Sequence, residues 1–193
     1  GQTNSWSDVF SDVSLLPLNA AVITDNYIFN EKFKERKNES LYSIIECLLP
    51  KSLTIDFHLT IFFNNSDNKF DEQNAKNAIE EIHSIIVSDR LKVQIVAHTN
   101  KYNTHEREIL TNYCYINSGR GFSIIDNQGV RETTRGEIKS VFHNIAEIPA
   151  QTTVKHIHYH TLSALRKIYK RESDMHSQVC YIVGDDFKNR LLS

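Results

Sequence analysis

The stretch from Ser52 to His98 constrains the fold more than any other part of the chain. Leu53, Ile55, Phe57, Leu59, Ile61 and Phe63 recur at every second position, the period at which successive side chains of a strand face opposite ways. Turn-forming residues fill Asn64 to Phe70, and Asp71 is placed to cap a helix. Ala75, Ala78, Ile79, Ile82, Ile85 and Ile86 then form one apolar helical stripe that runs out near Arg90. Val93, Ile95 and Ala97 complete a second strand. A crossover of this length joins parallel strands, normally in the right-handed sense. The expected fold class is therefore α/β, a mixed β-sheet flanked by helices.

The flanking sequence adds strands and helices to this unit. Asn19 to Asn30 carries Ala20–Ile23 and Tyr27–Phe29 around the polar Thr24-Asp25-Asn26, which predicts a hairpin or a bent strand. Leu41, Ile44, Ile45, Leu48 and Leu49 predict a short amphipathic helix stopped by Pro50. Alternation from Glu108 to Ile116 predicts one strand, Phe122 to Ile125 another after the Asn117-Ser118-Gly119-Arg120-Gly121 turn, and Ile138 to Phe142 a further one. Thr153 to Arg171 is the expected longest helix, and Val179 to Val183 a closing strand ended by Gly184. Trp6 and Phe10 are expected to dock the N-terminal segment on the body.

With 193 residues and no linker or repeat, residues 1–193 are expected to form a single α/β domain. Hydrophobic residues at 40% and charged residues at 24% argue against disorder. A formal net charge of −2 excludes an all-over basic surface but leaves room for a local basic patch. Cys47, Cys114 and Cys180 lack metal spacing, so buried reduced thiols and a cytoplasmic setting are expected. No apolar run reaches the roughly 20 residues that span a bilayer. The opening Gly1-Gln2 reads as a cloning remnant, which suggests the C-terminal part of a longer protein.

The residues with the most chemical content lie between His105 and Phe122. His105-Glu106-Arg107 is followed seven positions after the histidine by Asn112, and seven further on by Gly119-Arg120-Gly121-Phe122. This spacing resembles the phospholipase D superfamily, whose signature is His-x-Lys-x4-Asp on one strand and Gly-Ser-x-Asn on the next. Arg107 stands at the lysine, Asn112 at the aspartate and Gly119 at the glycine, while Arg120 and Phe122 replace the serine and asparagine. The likeness is loose over residues 19–145 and closer over 105–122. It is similar above all to the phospholipase D-like domain at the C-terminus of MIT-domain proteins, with the same His-x-Arg and Gly-Arg-Gly elements.

The resemblance implies a phospholipase D-like fold and a site in which His105 attacks phosphorus, Arg107 neutralises phosphate oxygens and Asn112 supports the histidine. Arginine keeps the phosphate-binding role, bidentately. Asn112 brings no negative charge to an imidazolium, so binding survives better than chemistry. Arg107, Gly119, Arg120 and Gly121 are the expected phosphate-binding residues, the glycines allowing a nest of backbone N–H groups. The preferred reading is a non-catalytic module for a phosphate-bearing ligand, a nucleic acid or phospholipid headgroup, or for a protein partner, with no cofactor and no metal. A metal-independent phosphodiesterase or nuclease is the enzyme alternative. It would need a homodimer, because the chain has no second His-x-Lys or His-x-Arg. A structural or assembly domain is the third reading, with His105 to Glu108 as an exposed charged edge and the Gly-Arg-Gly segment as an ordinary turn.

Other clusters have plainer readings. His156, His158 and His160 invite a metal but read better as a solvated helix face. Lys155, Arg166, Lys167, Lys170 and Arg171 enrich that helix in positive charge and read better as solvated helix charge; the alternative is that with Arg131, Arg135 and Lys139 they make a basic surface for phosphate backbones on which Tyr159 or Tyr169 stacks bases. Gly184-Asp185-Asp186 reads as a polar turn.

Overall fold

The computed structural model describes residues 5–11, 17–26, 28–29, 39–68, 70–99, 107–117, 125–126, 129–130, 143–144, 152–171 and 178–193. Among the described residues, four helices, α1 (Trp6–Val9), α2 (Glu39–Leu48), α3 (Glu72–Ile85) and α4 (Thr152–Tyr169), accompany nine strands. These are β1 (Ala20–Thr24), β2 (Phe57–Asn64), β3 (Leu91–His98), β4 (Glu108–Thr111), β5 (Cys114–Asn117), β6 (Ile125–Asp126), β7 (Gly129–Val130), β8 (His143–Asn144) and β9 (Val179–Gly184). Seven of them form one mixed sheet in the order β8-β5-β4-β1-β2-β3-β9, and β6 pairs with β7 separately.

The β2-α3-β3 unit carries the centre of this sheet. Phe57 pairs with Leu91 and Asn64 with His98 in a parallel register, and Asp71 caps α3 by accepting the Asn74 N–H at 2.7 Å. The alternation seen from Ser52 overruns the strand, which starts at Phe57. Both neighbours of β2 begin level with that point, β1 at Ala20 opposite His58 and β3 at Leu91, so 52–56 have no strand to pair with and Ile55 is exposed.

Two further expectations change. Ala20–Thr24 is a single strand between β2, parallel, and β4, antiparallel; it makes no hairpin with Ile28 and Phe29. The segment from Glu108 to Ile116 is two strands rather than one: the strand is interrupted at Asn112-Tyr113, and β4 turns back on β5 with Ile109 opposite Ile116. Thr111 Oγ1 accepts the N–H groups of Tyr113 and Cys114, which closes that turn. Residues 122–124 and the expected strand at 138–142 lie outside the described residues.

Alternation along the central strands splits the core in two. Ala21, Ile23, Leu59, Ile61, Val93, Ile95 and Ile109 face α2 and α3, where Trp6 and Phe10 are also buried. Ala20, Val22, Phe62, Val96 and Leu110 face Leu162, Leu165 and Ile168 of α4, with Leu191 and Leu192. The last residues reach this face because Asn189, fully buried, donates from Nδ2 to Ala21 O, His58 O and Thr60 Oγ1. Among the cysteines, Cys114 is buried, Cys47 half-buried and Cys180 exposed, all free. Exposure of Cys180 follows from β9 lying at one end of the sheet order.

Candidate functional site

The carboxyl ends of parallel strands are where open α/β sheets place ligands, and β1, β2 and β3 all end on the same side. Asp25 follows β1 directly, with its N–H bonded to Phe62 O at 3.2 Å. The antiparallel register of β1 and β4 pairs Thr24 with Glu108, so one step further on Asp25 faces Arg107. Arg107 Nε lies 3.7 Å from Asp25 Oδ1, and both side chains are nearly buried, 12% and 6% exposed. An arginine set in so little water beside a carboxylate is held in orientation, and the guanidinium fork is the side chain best shaped for phosphate oxygens.

Glu108 projects to the opposite face of the sheet and is only 2% exposed. Tyr115 Oη donates to its Oε1 at 2.6 Å, Thr161 Oγ1 of α4 lies 3.5 Å from the same oxygen, and Asn117 Nδ2 donates to Tyr115 Oη at 3.2 Å. Glu108 is therefore not part of an exposed charged edge: β4 lies inside the sheet, between β1 and β5. Its carboxylate ties the sheet to α4.

Asn112 sits at the other end of β4 from Arg107. Its Oδ1 accepts the N–H groups of Asn19 and Ala20 at 3.1 and 2.9 Å, and so supplies acceptors where β1 begins. A side chain with its oxygen committed to backbone holds the hairpin in place. His105, Gly119, Arg120 and Gly121 lie outside the described residues.

The remaining clusters sort by burial. His158 is no part of a solvated face: it is buried, and its Nε2–H donates to Thr111 O at 3.0 Å. Desolvation, reinforced by the Arg166 charge and opposed by that hydrogen bond, keeps its pKa below the ordinary histidine value. His156 and His160 are exposed, ring centroids 4.0 Å apart. Asp185 Oδ2 accepts the Val93 N–H at 2.8 Å and lies 3.1 Å from His83 Nε2, which fixes the turn after β9. Among the described residues, no group of three or more His, Cys, Asp or Glu is arranged to hold a metal, and no helix is long and apolar enough to cross a membrane.

Sequence reasoning passed over Asp25, which it had absorbed into a Thr24-Asp25-Asn26 turn. The available signal was an acidic residue two positions after the apolar run Ala20–Ile23, at a strand's carboxyl end. The chain matches no family model, and comparisons with curated proteins and with solved structures find no match.

Proposed function

We propose that this chain is a phospholipase D-like module that recognises a phosphate-bearing ligand without hydrolysing it. The reading rests on one observation above all: Arg107, the cation of the His-x-Arg pattern, is held against Asp25 at the carboxyl end of the parallel strands. The guanidinium would take phosphate oxygens bidentately. Asn112 supports the non-hydrolytic side of the reading. It stands where the family has an acid, and its oxygen is engaged by Asn19 and Ala20, so it is not available to stabilise a histidine cation.

The test is hydrolysis of bis-p-nitrophenyl phosphate and of single-stranded DNA by the wild type and by His105→Ala, each with and without EDTA. No turnover by either protein is expected. EDTA-resistant turnover that His105→Ala abolishes would overturn the reading in favour of a phosphohistidine enzyme, built as a homodimer because one chain holds one such motif.

A further inference from the structure

α4 presents a solvent face with a single sign of charge. From Thr152 to Arg171 the sequence contains no Asp or Glu, while Lys155, Arg166, Lys167, Lys170 and Arg171 supply five cations on a chain of net charge −2. The helix buries His158, Thr161, Leu162, Leu165 and Ile168. At about 3.6 residues per turn, Lys155, His156, Tyr159, His160, Lys167 and Lys170 fall on the opposite side, and all six are exposed. Tyr159 is 62% exposed. Its ring lies 5.7 Å from that of His160, which in turn contacts His156, so three aromatic rings lie together, about one turn from Lys155 and two to three turns from Lys167 and Lys170.

We propose that this face of α4 binds single-stranded nucleic acid, the lysines taking the phosphates and the Tyr159-His160-His156 rings the bases. Stacking needs unpaired bases, and a base stacked on an aromatic side chain beside a cationic track is the general mode of single-strand binding. A lipid surface fits less well, because it rewards inserted aliphatic side chains. Among the described side chains of α4, Ile157 is the one such residue with substantial exposure, at 40%, and it borders the buried side. A metal ion at His156 and His160 fits less well too, since five cations and no acid oppose it. Tyr169 takes no part: its hydroxyl is bonded to Gln94 Oε1 and Phe187 O. The inference stands independently of Arg107, which by strand alternation belongs to the sheet face away from α4.

The experiment is fluorescence anisotropy with oligothymidylate and oligouridylate of about 20 nucleotides, long enough to cover one such site. The same sequence as a duplex and vesicles of phosphatidylcholine with phosphatidylserine serve as the other arms. Binding to the single strands is expected to weaken with salt at a slope of about −2 in log K against log salt, from the three exposed lysines at about 0.7 each. Tyr159→Ala is expected to weaken it about tenfold, and Lys167→Glu with Lys170→Glu to abolish it at physiological salt. All substituted α4 positions are exposed, and circular dichroism serves to check that each variant folds. Absence of single-strand binding at low salt, tighter binding to duplex or vesicles, or insensitivity to the α4 substitutions would each overturn the proposal.

Discussion

A Cβ at residue 184 would lie 2.2 Å from Val93 O, and Gly184 holds φ at +124° besides. Any larger residue must displace the β3 backbone while adopting a conformation that L side chains avoid. Gly184→Ala is therefore expected to cost at least about 2 kcal/mol in chemical denaturation, a strain-type loss well above that of an ordinary surface change. Asp25 is the second such residue. Asp25→Asn leaves the Arg107 charge nearly buried beside a neutral amide, and breaking a pair of this kind costs about 3 kcal/mol, a fall in Tm of about 9 °C for a chain of this size. A thermal melt checks it. An unchanged Tm would mean that the pair is solvated in solution.

At the scale of elements, α4 is fastened to the sheet through groups that titrate or donate. The pKa of His158 is lowered chiefly by burial, and that of His58 by burial and then by the Arg190 charge. For a histidine whose folded pKa lies below the unfolded value of about 6.5, the unfolded chain takes up the proton first. Stability is thus full above pH 6.5 and declines as pH falls toward the folded pKa. Urea denaturation between pH 7 and pH 5 should show that decline, and His158→Gln, which keeps a donor for Thr111 O but cannot titrate, should make it shallower, leaving the His58 share. An equal slope in the variant would remove His158 from the explanation. The elements most legible in the sequence were those whose pattern is local: the α3 stripe with its Asp71 cap, and the apolar cores of β2 and β3. The β4-β5 turn was not, because alternation runs on through Asn112-Tyr113 and only the side-chain bonds of Thr111 and Asn112 break it. Glu108 was misread for a related reason. Charge suggests an edge, whereas strand order places β4 inside the sheet, and strand order is a long-range property that no local pattern records.

At the scale of the whole molecule, the sheet is closed on its α4 side by the last nine residues. Asn189 reaches two strands, Leu191 and Leu192 are buried in the second core, and Arg166 Nε donates to Leu191 O. Truncation after Gly184 would remove two buried leucines, each worth about 2 kcal/mol or more, and is expected to give a chain that fails to unfold cooperatively, as read by circular dichroism against temperature. A cooperative melt near the wild-type Tm would contradict that role for the segment. The site itself was legible only in part. The His-x-Arg pattern pointed to Arg107, whereas Asp25 lies 82 positions away in sequence and meets it only through the β1-β4 register.

The central claim is that Arg107, oriented by Asp25, receives a phosphate group. It is tested most directly by titrating phenyl phosphate into the isotopically labelled protein while following the Arg107 Nε–Hε resonance by NMR, with Arg107→Lys as the comparison. The account predicts a saturable shift at that resonance and a markedly weaker response of the backbone around residues 24–26 and 107–109 in the lysine variant, which lacks the bidentate fork. No shift at Arg107 with millimolar phenyl phosphate, or an equal response in both proteins, would contradict it.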